Sequence, residues 1–282
     1  MLLCYDGDMT LLDGKKLAQK IITDIKEEVA GMNKHLRLAV VVVGNDPVVQ
    51  KFIAQKRKIA EQIGVDFKIY PFEETVSARD LRARVAEIVH EKKNTGVIIQ
   101  LPLPSHIGKQ HMLNAIVPDK DVDVLSSRAI GNVVVGKSPV ISPVAGAVKA
   151  LFDEYGIQCA GKRIVIMGNG ALVGKPVALW LLSERVGFSI IDEGTPDVSA
   201  LIGDADIIIS GIGKSGFITG AMIKEGVIII DAGTSEQNGK FAGDVDFESA
   251  SKKASFITPV PGGVGPVTVA MLFKNLVELA KQ

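Results

Sequence analysis

Apolar residues fall into short runs that alternate with longer stretches in which they recur every three or four positions. The runs at 36–43, 67–70, 96–100, 163–168, 188–191, 207–210 and 227–231 are rich in Val and Ile, as strands covered on both faces are. Helical periodicity covers 14–30, 48–63, 78–92, 146–155 and 172–183, with a last helix at 267–281. Strands that alternate with helices build parallel βαβ units, so the pattern predicts an α/β protein. Gly136, Pro139 and Pro143 interrupt it just before a fresh helix, which places a domain boundary there. Two α/β domains are expected, with a ligand cleft between them. Residues 1–142 form the first, the final helix 266–282 packs back on it, and 143–265 form the second.

The second half carries the clearest ligand signal. Residues 162–168 read as a strand that runs directly into Gly168-Asn-Gly-Ala-Leu-Val-Gly174 and an apolar helix. Gly168 and Gly170 let peptide N–H groups at the helix start face a pyrophosphate, and Gly174 admits close packing of helix on sheet. The G-x-G-x-x-x-G spacing is one residue longer than the usual dinucleotide fingerprint, and glycine turns also open ordinary α/β helices. A downstream acid favours the dinucleotide: Asp192, with Glu193 beside it, follows the next strand. A carboxylate there accepts hydrogen bonds from the adenosine ribose and repels a 2′-phosphate. Asn169 offers no cation for such a phosphate. The second domain is therefore expected to be a Rossmann-like doubly wound parallel sheet that binds NAD or NADP, with a lean to NAD. Solvated loop charges at 192 and 193 remain the alternative.

In the first half, apolar positions of helix 48–63 recur at Val49, Phe52, Ile53, Ile59, Ala60 and Ile63, and Lys56 lies on the same stripe. A lysine there either snorkels to water at the stripe's edge or serves chemistry, because burial lowers its pKa and lets it exchange a proton. Phe52, four residues earlier, shares its face. Gln100 ends a strand at the carboxyl edge, where open α/β sheets bind ligands, and its amide can orient an amine. Asp121 and Asp123 follow in Pro118-Asp-Lys-Asp-Val-Asp123, which by itself also reads as an acidic surface loop. Near the end, Pro259, Pro261 and Pro266 stiffen a loop that Gly262, Gly263 and Gly265 leave bare. Such a loop suits the close approach of backbone to a ligand better than a plain turn does.

Composition narrows the classes. A 47 % hydrophobic content over 282 residues is enough to bury one or two cores. Thirty-two basic and 32 acidic residues balance, which argues against nucleic acid or an anionic membrane as a partner. Cys4 and Cys159 form no CxxC pair, and the four histidines are scattered, so neither a disulfide framework nor a metal site is expected. The start lacks a basic leader, and no apolar run approaches the ~20 residues of a membrane helix. A cytoplasmic protein is expected.

Taken together, Leu12-Asp-Gly-Lys15, Val43-Gly-Asn-Asp-Pro47, Lys56-Arg-Lys58, Gln100-Leu-Pro-Leu103, Lys120-Asp-Val-Asp123, Gly168 to Pro176, Gly243-Asp-Val-Asp246 and Pro259 to Thr268 make the chain resemble, over nearly its whole length, the bifunctional methylenetetrahydrofolate dehydrogenase/methenyltetrahydrofolate cyclohydrolase family, the FolD type. The resemblance implies a homodimer acting on tetrahydrofolate derivatives. It oxidises 5,10-methylenetetrahydrofolate with NAD(P) and hydrolyses the methenyl product to 10-formyltetrahydrofolate. It further implies Lys56 as the central catalytic residue, Gln100 as the group that tunes it, and Asp123 as the anchor of the pterin edge. Phe52, Ile99, Leu101, Pro261, Gly262, Gly263 and Gly265 line the folate pocket on this reading, and Val173 and Thr234 join Gly168, Asn169, Gly170, Gly174, Asp192 and Glu193 at the cofactor. The chain departs from the family pattern at Phe52, where Tyr is usual, at Val124, where Gly is usual, and at Asn169-Gly170 and Asp192-Glu193, which replace Arg-Ser and His-Ser. These departures leave two rivals: a dehydrogenase with weak or no cyclohydrolase activity, and a non-catalytic folate- or nucleotide-binding module.

Overall fold

A computed structural model of the chain describes residues 9–237 and 240–282; the readings of Cys4 and of the chain's start fall outside them. The elements in chain order are β1 (Thr10–Leu11), α1 (Gly14–Ala30), β2 (Arg37–Val43), α2 (Pro47–Ile63), β3 (Asp66–Phe72), α3 (Ala78–His90), β4 (Gly96–Ile99), α4 (Lys109–Leu113), α5 (Ser127–Val134) and α6 (Pro143–Tyr155). There follow β5 (Ile164–Met167), α7 (Gly174–Ser183), β6 (Phe188–Ile191), α8 (Val198–Gly203), β7 (Ile207–Ser210), β8 (Ile228–Asp231), β9 (Ser235–Gln237), β10 (Lys240–Ala242), α9 (Phe247–Ala250), β11 (Phe256–Ile257) and α10 (Val264–Ala280). Among the described residues, no helix is long and apolar enough to cross a membrane.

The chain divides into two compact units. One comprises residues up to Ala18 and Val144–Thr268. Six of its described strands form a parallel sheet in the order β1-β11-β8-β7-β5-β6, and β9 and β10 pair separately and antiparallel. From β5 the chain steps outward to β6 and then returns past β5 to β7. The winding reverses there, and the carboxyl ends of β5 and β7 flank the point at which such sheets bind ligands. This is the doubly wound parallel sheet expected from the pattern. Its central strands are mostly apolar because both faces are covered: β7, Ile-Ile-Ile-Ser, is buried at all four positions. Ile208, Ile229 and Ile257 meet Val165 and Ile218 in one core.

Assigning all of 1–142 to the first domain needs correction at its start. β1 pairs in parallel with β11, and Leu12 is fully buried, so the chain opens in the six-stranded unit. A strand of two residues has no period by which to announce itself. Two helices also begin before their expected starts. Pro143, read as an interruption, is the first residue of α6, where its missing N–H costs nothing and its fixed φ suits the helix. Likewise α10 starts at Val264, and Pro266 falls in its first turn, whose N–H groups have no partner within the helix.

The other unit, Gln19–Pro143 with Val269–Gln282, holds the three-stranded parallel sheet β3-β2-β4. β2 is buried from Leu38 onward, and Val41, Val97 and Ile99 pack with Leu81, Val85 and Met112. The carboxylate of Asp46 caps α2, accepting from the N–H groups of Val48 at 2.7 Å and Val49 at 3.0 Å; Gly64, at φ 77°, ends the helix. The later part of α10 packs into this unit. Buried Asn275 donates through Nδ2 to the carbonyls of Val122 at 2.9 Å and Ile141 at 2.8 Å. Gly96 has no room for a side chain: a Cβ there would lie 2.5 Å from Val122 and 2.6 Å from Leu276. Strand β4, the loop through Val122 and α10 are thus in direct contact, which fixes the loop that carries Asp121 and Asp123.

Candidate active site

In the three-stranded unit, Val49, Ile53, Ala60 and Ile63 bury one face of α2, and Lys56 projects from that face with its amine half-buried. Lys56 Nζ donates to Gln100 Oε1 at 2.8 Å. Gln100, immediately after β4, uses Nε2 to donate to the Leu101 carbonyl at 2.9 Å, which fixes the amide so that its oxygen faces the lysine. Loss of water lowers the pKa of Lys56, opposed by the charge of Asp123. Asp123 is pushed up to about 6, first by desolvation, with Lys56 pulling it down and Asp121 pushing it up. Lys56, Gln100 and Asp123, which are 44 and 23 residues apart in sequence, therefore form one electrostatic group.

The loop under Asp123 curls around a second carboxylate. Asp121, buried, accepts from the N–H groups of Ser126 at 2.8 Å and Leu125 at 3.3 Å; desolvation raises its pKa and these bonds oppose the rise. Val124 between them takes φ 57°, a conformation costly for a β-branched residue and natural for the glycine usual in the family. Phe52 is exposed one turn before Lys56, and Leu101 is half-buried. Ile99 differs from its expected place in a pocket: at 1 % exposure it belongs to the sheet core, so its side chain is committed to packing.

In the six-stranded unit the glycine turn stands where the winding reverses. A Cβ on Gly174 would lie 1.8 Å from the carbonyl oxygen of Gly168, and one on Gly168, whose φ is 96°, would lie 2.9 Å from that of Gly211. Gly170 faces open space, and Asn169, Gly170 and Ala171 are exposed. A bare turn ahead of a ten-residue helix fits a dinucleotide pyrophosphate. Val173 packs on Gly211, where an added Cβ would lie 2.4 Å from its side chain. Asp192 lies beside the turn and accepts from Asn169 Nδ2 at 3.4 Å and Gly194 N at 3.0 Å. Glu193 pairs with Lys214 at 2.8 Å, and this contact holds its carboxyl below the ordinary range. Thr234 is exposed just beyond β8.

The Pro/Gly-rich loop has two characters. Gly262 accepts from Lys15 N at 3.1 Å. A Cβ on Gly14 would meet the Gly263 carbonyl at 1.8 Å, and one on Gly263 would meet Pro259 and Thr258 at 2.7 Å. The bareness of Gly263 serves packing on this unit's own backbone. Pro261 and Gly265 are exposed and available to a ligand.

Two family descriptions match the chain: the catalytic domain of tetrahydrofolate dehydrogenase/cyclohydrolase over residues 12–123, and its NAD(P)-binding domain over 142–282. The chain belongs to the tetrahydrofolate dehydrogenase/cyclohydrolase family. It is 40 % identical over 278 residues to the bifunctional protein FolD of Moorella thermoacetica, covering 96 % of this chain and 99 % of that one. The FolD crystal structure from Campylobacter jejuni superposes with a TM-score of 0.93 at 39 % identity, over 97 % of this chain and 99 % of that one. That of the Trypanosoma brucei enzyme, complexed with NADP and an inhibitor, gives 0.91 at 33 % identity, over 97 % of both chains.

Among the described residues, no cluster of His, Cys, Asp or Glu has the makings of a metal site. Sequence reasoning passed over a group of buried polar residues in the NAD(P)-binding domain, Ser210, Asp231, Asp244 and Thr258. The motif Gly243-Asp-Val-Asp246 was its only sequence signal.

The pKa of Asp123 has a consequence for stability. A carboxyl near 4 in the unfolded chain and about 6 when folded binds more protons in the folded state between those values. Its contribution to stability therefore falls as pH rises from about 4 to about 6. Asp231, also pushed up to about 6, acts in the same window. The slope of thermal stability against pH from about 4 to about 6 is expected to be more positive in Asp123→Asn than in the parent protein, because the group whose contribution falls across that window is gone; an identical slope would contradict the upward shift of this carboxyl.

Proposed function

We propose that the protein oxidises 5,10-methylenetetrahydrofolate to the methenyl form with NAD(P)+ and hydrolyses that product to 10-formyltetrahydrofolate. The observation that carries the reading is the Lys56–Gln100 hydrogen bond, with Asp123 as the lysine's charged neighbour, in a chain 40 % identical to a bifunctional FolD protein over nearly its whole length. When bound, the nicotinamide accepts the hydride of the methylene bridge. The protein's part in that step is to hold the two partners in register, which removes the entropy cost of bringing them together.

Hydrolysis requires a water to add at the methenyl carbon, to lose a proton, and a proton to reach the departing ring nitrogen. Lys56, its pKa lowered by burial, takes the proton from the attacking water and returns it to that nitrogen, and the remaining hydroxyl proton passes to solvent as the carbon–nitrogen bond breaks and the formyl carbonyl forms. Gln100 Oε1 accepts one N–H and so aims the amine. Asp123 accepts from the donor edge of the pterin and, when ionised, opposes the fall in the lysine's pKa. Phe52 stacks on the aromatic part of the folate without the hydroxyl that a tyrosine brings. The same reading assigns Leu101, Pro261 and Gly265 to folate, and the turn at 168–174, Asp192, Glu193 and Thr234 to the cofactor. The full-length likeness to bifunctional relatives favours both activities over a dehydrogenase alone or a binding module.

Lys56→Met is expected to lower methenyl hydrolysis by at least about a hundredfold while folate still binds, as followed by absorbance and titration; undiminished hydrolysis would remove Lys56 from proton transfer. For the cofactor, the carboxylates of Asp192 and Glu193 support NAD over NADP, since each sits where a 2′-phosphate would add like charge. Asp192→Ser should shift the ratio of kcat/KM for NAD to that for NADP toward NADP by about tenfold, and an unmoved ratio would count against the charge argument. A homodimer is supported by the open edge of the six-stranded sheet, where Ile190 on β6 and Leu182 at the end of α7 are exposed. Equilibrium sedimentation should give twice the chain mass; a monomer at micromolar concentration would overturn it.

A further inference from the structure

Two carboxylates with no part in the chemistry above lie buried at the carboxyl ends of β7 and β8. Asp244 is 0 % exposed and Asp231 3 %. Asp244 Oδ2 accepts from Ser210 Oγ at 2.7 Å and Ile212 N at 2.8 Å, and its Oδ1 accepts from Lys214 N at 2.9 Å. Asp231 Oδ1 accepts from Gly233 N at 2.9 Å and Asp244 N at 3.1 Å, and its Oδ2 from Val245 N at 2.9 Å. Each carboxylate thus gathers peptide N–H groups that the ends of strands leave unpaired, and burying a charge is tolerable only with such partners.

The pair controls a particular surface. The turn 211–214, bound to Asp244, starts at Gly211, whose N–H donates to the Met167 carbonyl at 2.9 Å. Gly211 touches both Gly168 and Val173 of the glycine turn. The next residues bring Lys214 to Glu193. Gly233, ahead of Thr234, is so close to Asp244 that a Cβ would lie 2.1 Å from its carboxylate. We propose that Asp244 is a positioning residue for the nicotinamide cofactor: by anchoring the 211–214 turn it holds the glycine turn at 168–174 and the approach to Thr234 in the arrangement that binds NAD(P). The proposal rests on the family reading above.

Asp244→Asn tests it, because the amide keeps one acceptor oxygen but turns an NH2 toward N–H or O–H donors. The variant's cofactor Kd, measured by calorimetric titration, and its dehydrogenase KM for cofactor are expected to rise about tenfold or more. Its kcat at saturating cofactor and its cofactor-free hydrolysis of methenyltetrahydrofolate should stay within about twofold. An unchanged cofactor Kd, or an equal fall in both activities, would overturn the proposal. If that variant does not fold, Ser210→Ala removes one donor and leaves the carboxylate in place. It should weaken cofactor binding about threefold, and no weakening would overturn the proposal. The parent enzyme, assayed alongside, separates this idea from its basis: a parent with neither activity defeats the family reading, whereas an active parent with an unaltered Asp244→Asn defeats the role of Asp244.

Discussion

An amine removed from water must be given an acceptor and an opposing charge, or it loses its proton. The three-stranded unit is organised around that requirement. α2 sets Lys56 on its buried face, Gln100 ends β4 with its amide fixed by the Leu101 carbonyl, and Asp123 comes from a loop bound by Asn275 and packed against Gly96. Burial thereby lowers the pKa of Lys56 while the charge of Asp123 opposes the fall, and a lowered pKa is the direction that eases exchange of a proton. The raised pKa of Asp123 comes first from its own desolvation, with Lys56 pulling it down and Asp121 pushing it up.

The six-stranded unit obeys a different constraint, the close approach of main chain to main chain. A methyl group on Gly174 would strike the Gly168 carbonyl, one on Gly168 the Gly211 carbonyl, and one on Gly211 the side chain of Val173. That closeness leaves the end of the sheet bare enough for a pyrophosphate, and it depends on strand ends that have lost their ladder partners. Asp231 and Asp244 supply those partners from inside. Desolvated ionisable groups thus have different company in the two units: an amine, an amide and a carboxylate in one, and carboxylates gathering strand-end N–H groups in the other.

The alternation of apolar runs and helical stretches was enough to recover the parallel α/β class, seven of the strands and most of the long helices, because covered strands and amphipathic helices differ in period. It missed what has no period: β1, β11 and the antiparallel pair β9 and β10, each two or three residues long. It misread Pro143 as an interruption, since a proline breaks a helix only from its interior and sits comfortably in a first turn, whereas Pro266 marked a helix start to within two residues. Lys56 was visible as a cation on an apolar stripe and the glycine turn as a strand, bare loop and helix in succession.

Local pattern therefore determined the class of fold, the turn suited to a dinucleotide and the candidates for chemistry, because periodicity, charge and glycine placement act over a few residues. Only the tertiary structure decided which candidates meet. From sequence, Lys56 snorkelling to water and Lys56 bonded to Gln100 read alike, as did Asp123 in a surface loop and Asp123 beside an amine. Gly263 read as a ligand contact although its bareness answers Pro259 and Thr258, and Asp244 read only as part of a motif and Asp231 only as the end of a strand. The strength of a charge and the use of a bare backbone depend on what surrounds them, and those surroundings come from residues far apart along the chain.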